Sequence, residues 1–200
     1  MTRQHRILIA FATREGQTQR IAEHVAEHLR ARGFASDVID VAHPPTELDL
    51  ARYSAAVIAA SVHLGTHEKE MIAFVRSHAT SLARVPTAFF SVSGTEATAE
   101  DPAKPFAQRA EAAEAVKQML DRFLTVTGWT PTHAHPVAGA VRFSKYGVVV
   151  RFVLRRMLKN EARITDFTRD YEFTDWPTLD RFVDELAREL DDGERLRATA

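Results

Sequence analysis

The sequence predicts an α/β fold in which a parallel sheet carries helices on both faces. Three observations predict it. Short apolar runs alternate with helical periodicities from one end of the chain to the other. Two of those runs, Ile7-Leu8-Ile9-Ala10-Phe11 and Ala55-Ala56-Val57-Ile58-Ala59-Ala60, are apolar at every position rather than at every second one. A strand reads that way when both of its faces are buried. Segments rich in Ser, Thr and Gly follow the first, third and fourth runs, at the carboxyl ends of strands where sheets of this kind hold ligands.

The elements follow in order. Ile7–Phe11 is the first strand. A helix spans Gly16–Arg32, with Thr18, Ile21, Ala22, Val25 and Leu29 along one face, and Gly33 ends it. Ala35–Val41 is the second strand and stops at His43-Pro44-Pro45; Ala55–Ala60 is the third. Glu68–Ser77 is a helix that turns Met71, Ile72 and Val75 inward. Val85–Ser91 is the fourth strand and Ala107–Thr127 a long helix. Thr132–Val141, entered through Gly128-Trp129-Thr130-Pro131, is the fifth strand. Trp176–Leu190 is the closing helix, with Leu179, Phe182, Val183, Leu186 and Leu190 on one side. Two hundred residues suit one well-buried domain, here 1–200 with an insertion at 142–170.

Composition narrows the function. The chain is 45% apolar and 26% charged, as ordinary globular proteins are. A formal charge of −1 excludes a globally basic nucleic-acid binder, and no nucleic-acid partner is expected. The absence of cysteine excludes disulfides, thiolate catalysis and cysteine-held iron–sulfur clusters, so redox chemistry would belong to a bound cofactor. The apolar run at Ile7–Ala12 is too short for a signal peptide, and no run is long enough to span a membrane, which leads to a cytoplasmic expectation.

The first turn carries the clearest chemistry. Strand one delivers the chain to Thr13-Arg14-Glu15-Gly16-Gln17-Thr18 at a helix N-terminus. Amides there lack helical partners, the helix dipole favours an anion, and the hydroxyls of Thr13 and Thr18 can donate. Neither a Walker loop nor a G-x-G-x-x-G fingerprint is present, so a single phosphate fits best. The second and third segments are Ser61-Val62-His63-Leu64-Gly65-Thr66-His67 and Ser91-Val92-Ser93-Gly94-Thr95. Together the three suggest a phosphate at the first and a flat ring between the other two. Alone, each of the later two reads equally well as an ordinary turn.

Between Arg142 and Arg163 seven cations (Arg142, Lys145, Arg151, Arg155, Arg156, Lys159 and Arg163) face one acid, Glu161. The segment carries +6 and the rest of the chain −7. Arg151, Arg155 and Lys159 recur every four residues and share a helical stripe, among Val148, Val149, Phe152, Val153, Met157 and Leu158. A basic apolar helix suits an anionic membrane surface, a partner, or the carboxylates of a ligand. The plain alternative is a core helix whose arginines reach out to solvent.

Other signals rank lower. His24-Val25-Ala26-Glu27-His28 spells the H-x-x-E-H of inverted zinc peptidases, yet it flanks the buried stripe of the first helix and reads as a helix flank. His63 and His67 bracket the second segment. His133 and His135 share a strand face and read as structural; Trp129 and Trp176, at element boundaries, read as packing residues.

The turn and segments just quoted, with Ala88-Phe89-Phe90-Ser91-Val92, Val75-Arg76-Ser77-His78-Ala79, Val137-Ala138-Gly139-Ala140-Val141-Arg142-Phe143 and Tyr171-Glu172-Phe173-Thr174-Asp175-Trp176, resemble flavodoxin-like proteins. Within that group the chain is similar to the quinone-dependent protoporphyrinogen IX dehydrogenases of bacterial haem synthesis, from about Ile7 to Ala187. The resemblance implies a doubly wound five-stranded sheet of order 2-1-3-4-5 with a basic helical insertion in the last strand. It implies FMN, held by Thr13, Arg14, Glu15, Gly16, Gln17 and Thr18 at the phosphate. Ser61, Val62, His63, Leu64 and Gly65, and Phe89, Ser91, Val92, Ser93, Gly94 and Thr95, would lie around the ring. It implies protoporphyrinogen IX as substrate and menaquinone or ubiquinone as acceptor. Arg142, Arg151, Arg155 and Lys159 would meet substrate or an anionic membrane, placing the protein on the inner face of the cell membrane. No catalytic acid or base and no metal is implied, and a homo-oligomer is left open. Two other readings share the fold: a flavodoxin-type electron carrier and a non-catalytic membrane- or partner-binding module.

Overall fold

The computed structural model describes residues 6–142, 166 and 168–198, with side chains through 192. Its strands are β1 (Arg6–Ala12), β2 (Ala35–Asp40), β3 (Ala55–His63), β4 (Thr66–His67), β5 (Thr87–Ser93), β6 (His133–Ala138), β7 (Ala140–Val141) and β8 (Tyr171–Glu172). Its helices are α1 (Gln17–Ala31), α2 (Lys69–Leu82), α3 (Gly94–Ala99), α4 (Phe106–Thr127) and α5 (Trp176–Ala198). A 3-10 turn, Leu50–Arg52, precedes β3.

The main sheet runs β2-β1-β3-β5-β6, every neighbour parallel, with β4 folded back antiparallel on β3. With the β4 hairpin set aside, this is the expected 2-1-3-4-5 order. The every-position apolarity of β1 now has its cause. Ile7, Ile9 and Phe11 pack into a layer with Ile21, Val25 and Leu29 of α1 and Leu179, Val183 and Leu186 of α5. Leu8, Ala10 and Ala12 pack on the other face with Met71 and Val75 of α2 and Phe123 of α4. Each fully buried Leu or Ile contributes about 1.5–3 kcal/mol relative to exposure, so the two layers anchor the sheet. Small Ala residues fill β3 at Ala55, Ala56, Ala59 and Ala60, letting helices approach both faces of the central strand. Trp129, 2% exposed, packs beneath β5 as expected. α1 ends in a Schellman motif: Phe34 N donates to Leu29 O at 3.1 Å and Gly33 N to Arg30 O at 2.9 Å.

Strand five departs from expectation. It is not continuous over Thr132–Val141. β6 stops at Ala138, Gly139 N donates to Ser93 O at 2.9 Å, and the chain then leaves the sheet. Glycine is favoured at 139 by close approach: a Cβ would lie 3.2 Å from Val92 Cγ1. β7 pairs antiparallel with β8, Ala140 against Glu172 and Val141 against Tyr171. The returning segment therefore closes the base of the insertion instead of completing the edge strand. Arg151, Arg155 and Lys159 lie outside the described residues.

Candidate functional site at the carboxyl edge of the sheet

The first turn carries the chain from β1 into α1 through a left-handed glycine. Gly16 has φ 91°, a left-handed conformation that a side chain would strain, and it lets the chain swing from β1 into α1. Thr13 Oγ1 accepts from Gly16 N at 3.0 Å, which closes the turn and leaves the hydroxyl proton to donate. No carboxylate occupies the first turn of α1, where acidic residues are otherwise favoured. Thr18 is fully buried, and its Oγ1 has no hydrogen-bond partner among the described residues. A buried hydroxyl without a partner costs about 1–3 kcal/mol. At this place in the fold it suits a phosphate oxygen.

Arg14 and Gln17 have other work in this structure. Arg14 Nε donates to both carboxylate oxygens of Glu68, at 3.0 and 2.9 Å. Ser61 Oγ donates to the same carboxylate at 3.1 Å, and Glu68 is 4% exposed. The first turn and the second segment are thus tied through Glu68, and the Arg14 charge is matched by its partner. Glu68 was not singled out by sequence reasoning. A lone acid ahead of a helix is a weak signal.

Gln17 is buried; its Nε2 donates to Thr174 Oγ1 at 2.9 Å and its Oε1 accepts from Arg142 Nη2 at 3.0 Å. Thr174 Oγ1 in turn donates to Ala138 O at 2.8 Å. Three separate family motifs therefore meet at one glutamine: the first turn, the end of β6 and the Tyr171–Trp176 stretch. Arg20 pairs with Glu172 beside them. Arg142, expected at substrate or membrane, holds the root of the insertion to α1, with its Nε buried and unpartnered among the described residues.

The second segment is a hairpin rather than a loop. β3 continues through Ser61 and Val62 to His63, Leu64 and Gly65 turn at φ 49° and 76°, and β4 returns. Both central residues having positive φ is the geometry of a tight two-residue hairpin, normally met with Asn-Gly. Leu in that conformation costs about 1–2 kcal/mol. It is 92% exposed, an apolar tip at the carboxyl edge. His63 Nδ1 lies 3.9 Å from Glu15 Oε1. His67 points the other way along the hairpin's alternation: it is buried, meets Ser91 Oγ at 2.9 Å, and packs against Phe89 and Phe123. Burial lowers its pKa to about 4, so it is neutral.

The third segment needs correction. The strand runs two residues further than expected, to Ser93, so Val92 as well as Phe89 and Ser91 is a strand residue. Phe89 is fully buried and stacks on Phe123 with centroids 4.4 Å apart. The Ser91 hydroxyl is taken by His67, and Val92 belongs to the layer beneath α5. Only Ser93, Gly94 and Thr95 reach the strand end, where α3 starts at once. Ser93 Oγ caps that helix by accepting from Glu96 N at 3.1 Å. Glu96 is buried; desolvation, then the neighbouring Glu100 charge, raises its pKa to about 7.

His24 and His28 are cross-helix partners. His24 Nε2 lies 2.7 Å from Asp180 Oδ1 and His28 Nε2 2.5 Å from Asp184 Oδ1, joining α1 to α5.

A glycine-bearing turn from β1 into α1, an apolar hairpin tip and a capped helix start, all at the carboxyl edge of a 2-1-3-4-5 sheet, define a flavodoxin-type protein. The flavodoxin domain model matches residues 8–168. A protein of Escherichia coli K12 named Protoporphyrinogen IX dehydrogenase (quinone) is 33% identical over 184 residues, 92% of this chain and 96% of that one. A protein of the same name from Leishmania major is 27% identical over 90% of this chain and 74% of its own length. A flavodoxin structure from Streptococcus pneumoniae aligns with TM-score 0.47 at 18% identity, over 92% of this chain and 99% of that one. The chain belongs to the flavodoxin domain family and, within it, to the proteins named protoporphyrinogen IX dehydrogenase (quinone).

Proposed function

We propose that the chain binds FMN at the carboxyl edge of the sheet and oxidises protoporphyrinogen IX to protoporphyrin IX, with a quinone as electron acceptor. The name carried by relatives that align along almost the whole chain supports the reaction. The observation that carries the cofactor is the Thr18 hydroxyl, buried and unpartnered in the first turn of α1. Thr13, Thr18 and the backbone amides at the N-terminus of α1 would hold the phosphate. His63, Leu64 and Gly65, with Ser93, Gly94 and Thr95, would flank the ring system. FMN supplies the two-electron acceptor that a chain without cysteine lacks. The chain's own residues bind and orient. Glu68 fixes the turn against the hairpin, Gln17 fixes α1 against β6, and exposed Leu64 offers apolar surface that keeps water from a planar ligand.

The proposal extends to location. No helix among the described residues is long and apolar enough to cross a membrane. The +6 segment from Arg142 to Arg163 supports a cytoplasmic protein held peripherally on the inner face of the cell membrane, where a lipid-soluble quinone resides. Each cation near an anionic surface contributes about 1 kcal/mol.

The test is turnover. Protein purified with FMN is given chemically reduced protoporphyrinogen IX under anaerobic conditions, with and without a quinone. Porphyrin fluorescence should grow at a rate set by enzyme and should require the quinone. FMN-loaded protein that leaves the porphyrinogen untouched would overturn the substrate, and failure to take up FMN would overturn the site.

A further inference from the structure

β6 is the edge strand, and His133 and His135 sit two residues apart on its α5 side. Their rings stack at 6.0 Å, tilted by 10°. Glu185 and Glu189, one turn apart on α5, face them. His133 Nε2 lies 2.8 Å from Glu189 Oε1, and one ligand atom each of His133, His135 and Glu185 fall within 4.8 Å of one another. Phe182 covers the His135 ring at 3.7 Å, and His135 Nε2 is buried with no partner among the described residues. A buried imidazole nitrogen without a partner, in a ring grouped with His133 and the Glu185 carboxylate, is an unmet coordination site.

We propose that His133, His135 and Glu185, with Glu189 as fourth ligand or as orienting partner of His133, bind a divalent cation of the zinc class. Two imidazoles and a carboxylate suit zinc and its transition-metal neighbours rather than magnesium or calcium, which take oxygen alone. Tetrahedral zinc with ligands at about 2.0–2.1 Å keeps ligand atoms about 3.4 Å apart. The present spread, up to 4.8 Å, is wider than that, so binding requires the ligand side chains, the exposed Glu185 among them, to close on the ion. The ion would staple the edge strand to the closing helix. His133 opens β6, five residues before the strand's carboxyl end, which is about 16 Å from the cofactor edge. The role is therefore structural and separate from the redox chemistry.

The experiment uses the full chain, FMN-loaded and chelator-treated. Calorimetric titration with Zn²⁺ should show one ion per chain, and the melting temperature should rise with zinc. Glu185→Gln and His133→Asn should each weaken binding at least tenfold while flavin absorbance stays unchanged. Glu185 lies on the surface, so its variant keeps the fold even if His135→Asn, whose ring packs on Phe182, does not. Cu²⁺ as a spin probe should show two nitrogen couplings, reduced to one in His133→Asn. Zinc binding that is unchanged in both variants would place the ion elsewhere and overturn the assignment. So would the absence of micromolar binding to the unaltered chain.

Discussion

Replacing Thr18 by Val isolates the contact on which the cofactor assignment rests. The exchange keeps shape and β-branching and removes only the hydroxyl. In the structure that hydroxyl is fully buried and bonded to nothing among the described residues. Its removal should relieve about 1–3 kcal/mol of desolvation, raising the melting temperature of a domain this size by roughly 2–4 °C per kcal/mol. With FMN the sign reverses. A hydrogen bond to a charged oxygen contributes about 1.5–3 kcal/mol, so the dissociation constant should rise roughly ten- to hundredfold. Quenching of FMN fluorescence on binding gives the affinity, and scanning calorimetry of the apoprotein gives the stability. Opposite signs in the two assays are the signature. An unchanged FMN affinity together with a less stable apoprotein would show that the hydroxyl serves the fold, and the reasoning would fail.

Gly139→Ala puts a methyl 3.2 Å from Val92 Cγ1 at the last rung between β5 and β6; the strain should cost about 1–3 kcal/mol, read as a lower urea midpoint. His67 and Glu96 should oppose each other in a pH titration of stability. Folded His67 titrates near 4 against an ordinary 6.5, so the unfolded chain holds more protons between those values and stability falls as pH drops through them. Folded Glu96 titrates near 7 against 4.5, so stability falls as pH rises from 4.5 to 7. Each effect is worth about 2–4 kcal/mol at full extent. Glu96→Gln should expose the acid-side loss in denaturant midpoints taken from pH 4.5 to 6.5, and an unaltered profile would refute the assignment. The triple exchange Arg151→Glu, Arg155→Glu and Lys159→Glu should abolish co-sedimentation with anionic vesicles while FMN stays bound; retained sedimentation would remove the membrane role.

The strands and their order were legible because burial on both faces forces an unbroken apolar run, and residues 7–12 of β1 and 55–60 of β3 include no polar residue to obscure it. The helix stripes were legible for the same reason, from Ile21 to Leu29 and from Leu179 to Leu190. The edges were not. α3 hides behind Gly94 and Thr95, which read as turn residues, although Ser93 and Glu96 stand at capping-box spacing and the Ser93 hydroxyl does cap the helix. The hairpin at residue 64 escapes because Leu-Gly lacks the usual Asn-Gly signature. Phe89 was rightly read as strand, but the side of the sheet it faces was not legible; only the register, Phe89 against Ile58 and Ala134, and its packing on Phe123 decide that. Glu68 and the Gln17 bond to Thr174 join residues 54 and 157 positions apart, which no local pattern encodes.

The small ladder of β7 and β8 has a wider consequence. With Phe173 N donating to Gly139 O at 3.0 Å, the chain departs and returns through one gate beside the platform. Whatever hangs from that gate can lengthen or shorten cheaply, since doubling a closed loop costs only about 0.6 kcal/mol. A change in the length of the segment between the two strands would thus leave the platform undisturbed.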